Sequence, residues 1–224
     1  MKLLNKTTIK TIKFLGLTSI GLLVISNNLS ANGNINDSNL TKFQDIKNGY
    51  FKSYDYEQMG KYDEAIKVLL PIYNLYPKGY TLNLRIGWLF SMNKKYSDAL
   101  KYYKKASLIN KYAVDPKLGI INIYLEIGKY KEAELVSQEI LKVDYYNFYA
   151  NLYIVRSLIK QKKYSIATNI INKMLYLYPT NVTFLEQLAI IYKNTKSKYL
   201  DKLYKDILIL DPNNVFVRSN SKIK

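Results

Sequence analysis

The sequence predicts an all-α chain, a solenoid of helix–turn–helix units stacked side by side. A Tyr-x-x-Ala core recurs at a fixed step of 34 residues, at Tyr62/Ala65, Tyr96/Ala99, Tyr130/Ala133 and Tyr164/Ala167. Each unit holds two apolar-periodic segments, and a unit of that kind can bury its apolar face only against its neighbours. The breakers keep the same register. Pro77 and Pro179 stand at one point of their units, where a residue that cannot continue a helix ends the second one.

In chain order, residues 1–31 read as a secretory signal peptide. Lys2, Lys6, Lys10 and Lys13 form a positive head, Phe14 to Ser26 an apolar core, and Asn27 to Ala31 a polar end with small residues. The apolar run has 13 residues, against the roughly 20 that a membrane-spanning helix needs. Cleavage near Ala31 and a periplasmic or secreted chain are expected; the alternative is an inner-membrane anchor formed by an uncleaved leader. Cysteine is absent, which excludes a lipid-modified lipoprotein and any disulfide. Residues 32–41 are rich in Asn, Ser, Asp and Gly and read as a flexible leader. Within them Asp37-Ser38-Asn39-Leu40-Thr41 resembles a bacterial N-glycosylation acceptor, a short pattern that a polar segment readily yields by chance.

From residue 42 to 212 the pattern predicts ten helices in five antiparallel pairs, with units at 46–79, 80–113, 114–147, 148–181 and 182–212. The alanine at position 20 of the unit lets two helices cross closely. Position 8, on the first helix, is small in Ser53 and Gly87 but large in Ile121 and Val155. Three positions later Tyr56, Phe90, Tyr124 and Leu158 fill the space beside the repeated tyrosine. The fifth unit keeps Leu188, Ala189 and Tyr192, then loses a residue, so Ser197 and Leu200 stand where Tyr and Ala belong. Terminal units of an array diverge in this way. After Asp211-Pro212, residues 213–224 can hold a turn or two of helix, with Val215 and Phe216 over the last apolar edge.

This pattern resembles the tetratricopeptide repeat, whose consensus has a small residue at position 8, an aromatic at 11, Gly at 15, Tyr at 17, Ala at 20 and Pro at 32. The departures are Lys94 and Lys162 in place of Gly, and Lys111 and Tyr145 in place of Pro. The resemblance implies a right-handed α-solenoid whose first helices line a concave groove. On that implication the candidate partner-binding residues are Tyr50, Tyr54, Leu84, Trp88, Asn122, Tyr149, Leu152 and Arg156. Aromatics and leucines would be buried by a peptide or helix, with Asn122 and Arg156 fixing its orientation. The chaperone-type carboxylate clamp is not matched, because Tyr50, Tyr54, Arg85, Asp115 and Gly119 stand where its Lys, Asn and Arg residues belong.

Composition narrows the chemistry. Histidine and cysteine are both absent, which removes the commonest general base, the commonest metal ligand and the thiol nucleophile. No Gly-rich phosphate loop or nucleophile elbow occurs, so no enzyme, no metal and no cofactor are expected. The net charge is +17, or +13 without the four lysines of the leader, and predicts attraction to anionic surfaces. Only Arg85, Arg156 and Arg218 are arginines, and along the sequence the lysines are spread singly through the repeats, so nucleic acid is not the expected partner. The expected partner is a protein or peptide. A glycan is the alternative, as in a polysaccharide-export component, since Tyr and Trp faces also stack on sugars.

Overall fold

Every regular element among the described residues is an α-helix, and each follows from where the sequence allows a helix to stop. The structure is a computed structural model that describes residues 37–221, with side chains from residue 42 on; the expected signal peptide at residues 1–31 lies outside the described residues. Long α1 (Asp37–Gln58) is followed by short α2 (Tyr62–Lys67) and α3 (Leu70–Leu75). Four hairpins come next: α4 (Tyr80–Met92) with α5 (Tyr96–Ile109), α6 (Asp115–Glu126) with α7 (Tyr130–Leu141), α8 (Phe148–Lys160) with α9 (Tyr164–Leu177), and α10 (Val182–Asn194) with α11 (Leu200–Leu210). A terminal helix, α12 (Val215–Asn220), closes the described chain.

All five first helices end alike. The backbone N–H at position 16 (Lys61, Lys95, Lys129, Lys163, Ser197) donates to the carbonyl at position 11 (Tyr56, Phe90, Tyr124, Leu158, Tyr192) at 2.8 to 2.9 Å, so Ser197 stands at position 16, not in the tyrosine's place expected for it, and the fifth unit loses its residue after Ser197. That six-to-one bond needs a left-handed residue between them. Position 15 supplies it, with φ of 73° at Gly60, 76° at Gly128, 59° at Lys94, 60° at Lys162 and 53° at Lys196. A side chain held there is strained by roughly 1 kcal/mol or more relative to glycine. Three of the five turns therefore carry lysine at a conformational cost.

Three of the second helices stop before a proline: Tyr76, Tyr178 and Asp211 leave the helix with φ of −130°, −129° and −139°, away from the helical region that a following proline disfavours, while Asn110 leaves α5 at −129° with no proline after it. Asparagine then starts the next helix. The side-chain oxygens of Asn147, Asn181 and Asn214 accept the N–H of Ala150, Phe184 and Val217 at 3.0, 3.1 and 2.9 Å, which satisfies one orphan donor in each first turn.

Three expectations need correction. The second helix of the first repeat is broken into α2 and α3 at Val68-Leu69, because Pro71 cannot donate the hydrogen bond that would continue it. Helix α1 runs from Asp37, inside the stretch 32–41 expected to be flexible. Asn39 accordingly lies in a helix rather than a loop. At the other end Val217 is fully buried and the Phe216 ring meets Tyr204 edge-on, 6.3 Å between centroids, whereas Val215 is 77% exposed.

The described chain divides into two compact units, up to Leu82 and from Asn83 onward. In the first, α1 packs on α2, and Ala65, Ile66, Leu69 and Ile72 are buried. Gly49 of α1 lies so close to Ile72 that a Cβ there would come within 2.5 Å of its Cδ1. In the second unit the hairpins stack in sequence, each helix packing on its successor from α5 through α11. Its core continues from Ala99, Tyr103, Ile120 and Ile123 through Ile121, Ala133, Ile140 and Ala150 to a cluster around Val155, Ile171, Met174, Phe184 and Ile207.

Candidate binding surface

Tyr103 of α5, which sequence reasoning passed over, anchors the core at the start of the second unit. Its ring is 3% exposed and lies in a slot between two glycines. A Cβ on Gly87 of α4 would come within 2.9 Å of the ring and one on Gly119 of α6 within 2.5 Å, closer than real Cβ atoms approach anything. Gly119 thus owes its identity to packing. Burial pushes the Tyr103 phenol well above its ordinary value of 10, and the nearby Tyr153 hydroxyl adds to the rise.

Tyr153 projects from α8, where the Arg156 guanidinium lies 5.9 Å from its ring centroid. Burial raises the Tyr153 phenol, Arg156 opposes that rise and Tyr149 adds to it. At the start of α6 partial burial likewise raises the Asp115 carboxyl. Tyr149 packs edge-on against Phe148, 5.4 Å between centroids. Behind these residues α8 is braced from below. Lys173 of α9 donates to Asn151 Oδ1 at 2.6 Å and to the Tyr145 carbonyl at 3.2 Å, and its ammonium sits 3.8 Å from the Tyr145 ring centroid. Desolvation lowers its pKa.

The predicted partner-binding residues are distributed unequally. Tyr50 and Tyr54 belong to the first unit, both half-buried, with the Tyr50 hydroxyl 3.5 Å from Thr81 Oγ1. In the second unit Leu84 and Trp88 are half-buried against the cluster that holds Tyr103, so the only tryptophan contributes to the core as well as the surface. Leu152 is buried at 5% exposure; its apolar side chain joins the cluster that ties α8 to α9 and α10, and no ligand can reach it here. Asn122 on α6 and Tyr149 and Arg156 on α8 are exposed, on first helices that pack against one another. Among the described residues no cluster of acidic side chains could hold a metal ion.

Stacked helical hairpins in a 34-residue register, with buried alanines at Ala65, Ala99, Ala133 and Ala167 and a left-handed turn closing each first helix, make this a tetratricopeptide-repeat α-solenoid. Solved structures agree. A tetratricopeptide-repeat protein from Parabacteroides merdae superposes with a TM-score of 0.70 at 18% identity, over 79% of this chain and 70% of that one. MamA from Desulfovibrio magneticus RS-1 gives 0.66 at 13% identity, over 76% and 97%. YrrB, described as a TPR protein with an unusual peptide-binding site, gives 0.60 at 11%, over 76% and 89%. At these identities the likeness establishes the fold. Neither a family model nor a curated protein sequence matches the chain.

Proposed function

We propose that this protein is a non-catalytic scaffold of the bacterial envelope that binds a partner protein or peptide along the first helices of its second unit. The observation that carries the reading is the exposed set Asn122, Tyr149 and Arg156 on α6 and α8, backed by a close-packed core. A rigid aromatic anchor beside an amide and a guanidinium is the composition of a binding hot spot. YrrB, a structural neighbour, is described as having a peptide-binding site. The positive head and apolar core of residues 1–31 support export.

The test is crosslinking and capture of the tagged full-length protein from its native envelope, beside an Asn122→Ala/Tyr149→Ala/Arg156→Ala variant. These side chains are exposed, so the variant should melt with the wild type. Specific proteins held by the wild type and lost by the variant are expected. Equal capture by both would remove the interface from this surface, and recovery of polysaccharide without protein would replace the reading with the glycan alternative.

A further inference from the structure

Helix pairing gathers lysines that the sequence scatters. In the second unit all four turns from a first to a second helix lie at one end of the stacked hairpins. The second and third of them touch there: Gln161 and Lys163 both donate to Glu134, at 3.0 and 3.2 Å, and the Ser157 hydroxyl donates to the Tyr130 carbonyl. Stretches 93–98, 126–132, 160–165 and 193–201, which contain these turns, hold 10 lysines and 4 carboxylates. Lys94, Lys129, Lys162 and Lys196 are exposed there and make no side-chain hydrogen bond or ion pair among the described residues.

Lysine is also present against the preference of the backbone. Lys94, Lys162 and Lys196 occupy the left-handed position that Gly60 and Gly128 fill without strain. Strain retained at the equivalent point of three of the five repeats is the mark of a side chain kept for something other than folding. The basic residues in these stretches are all lysine, with Arg85, Arg156 and Arg218 elsewhere. A compact ammonium on a flexible stem suits a diffuse anionic surface, whereas reading single phosphates or bases favours the guanidinium fork. Ile127 and Tyr199 are exposed among the same turns, at 39% and 55%, and supply side chains suited to a lipid interface. We infer that this edge of the second unit docks on a membrane by taking anionic phospholipid headgroups. The inference concerns a different surface from the one proposed to bind a partner, and stands or falls apart from it.

The test is amine acetylation of the full-length chain, read by mass spectrometry, on vesicles of phosphatidylcholine alone and of phosphatidylcholine with phosphatidylserine. Lys94, Lys129, Lys162 and Lys196 should be protected on the anionic vesicles only. Lys111 and Lys142, at the opposite end of the stack, should label equally on both. Equal labelling at both ends overturns the inference. So does protection by duplex DNA or polyglutamate where the vesicles give none, which assigns the edge to another polyanion. A second readout separates binding from folding. Lys94→Gly/Lys162→Gly/Lys196→Gly relieves three strained turns, so it should melt no lower than wild type. Its affinity for the anionic vesicles should nevertheless fall by about a hundredfold, at roughly fivefold per lysine. The leader contributes equally to both proteins; unchanged affinity and salt dependence would sink the idea.

Discussion

The second and third repeats fill the same slot in opposite ways. Its three positions are 8 on a first helix, 24 on the paired second helix and 6 on the next first helix. In the second repeat these are Gly87, Tyr103 and Gly119, small around large; in the third they are Ile121, Ser137 and Tyr153, large around small. Tyr103 and Ser137 are both buried. The Ser137 hydroxyl is satisfied within its own helix, donating to the Ala133 carbonyl at 2.8 Å. The bulk sits on the second helix in one repeat and on the two flanking first helices in the other, so a change at one of the three positions has to be answered at the others, as expected of interiors packed to crystal density.

That comparison can be broken most severely at Tyr103. Tyr103→Ser imports the third repeat's residue without its neighbours and leaves a cavity, so denaturant unfolding should show a loss of about 3–5 kcal/mol. Importing the whole set, Gly87→Ile/Tyr103→Ser/Gly119→Tyr, should recover about 1–3 kcal/mol of it through coupling. A triple variant no more stable than the single one would refute volume compensation. Gly119→Ala is the milder break. With a Cβ 2.5 Å from the ring, it should cost about 1–3 kcal/mol as overpacking, and the cost should vanish in the Tyr103→Ser background. The smallest effect sharpens the comparison at the fifth repeat, where Tyr204, one residue having been lost before it, takes the place of position 24. Its ring is buried, but its hydroxyl has no hydrogen-bond partner among the described residues. Tyr204→Phe should therefore raise stability by about 1 kcal/mol, read as a small increase in melting temperature.

The register of the repeats was legible because Tyr and Ala recur at one spacing, and each recurrence tests the others. The prolines at 77 and 179 placed helix ends for the same reason, since their effect is local. Pro71 had an equally local effect, but the periodicity running through it hid the break between α2 and α3. The slot around Tyr103 could not be read from one repeat, because its complement Gly119 belongs to the next. The same limit applies to the binding surface. Position in the unit predicted Asn122, Tyr149 and Arg156 on the exposed side, but Leu152 shares that register and is buried, because its neighbours on α9 and α10 offer an apolar surface to close on. Lysines that look solitary along the chain fall on one edge only after the hairpins stack.

Helix α12 has a consequence for the face it covers. A solenoid has no intrinsic last repeat; the face that receives one hairpin can in principle receive another chain. Here Val217 inserts into that face and Phe216 meets Tyr204, while Asn214 caps the helix and donates to Glu186 at 2.7 Å. Six residues thus cover an apolar face that α10 and α11 leave open. Without them the apolar end of α11 would be open to its own kind, and growth into head-to-tail filaments, rather than unfolding, would be the failure to look for.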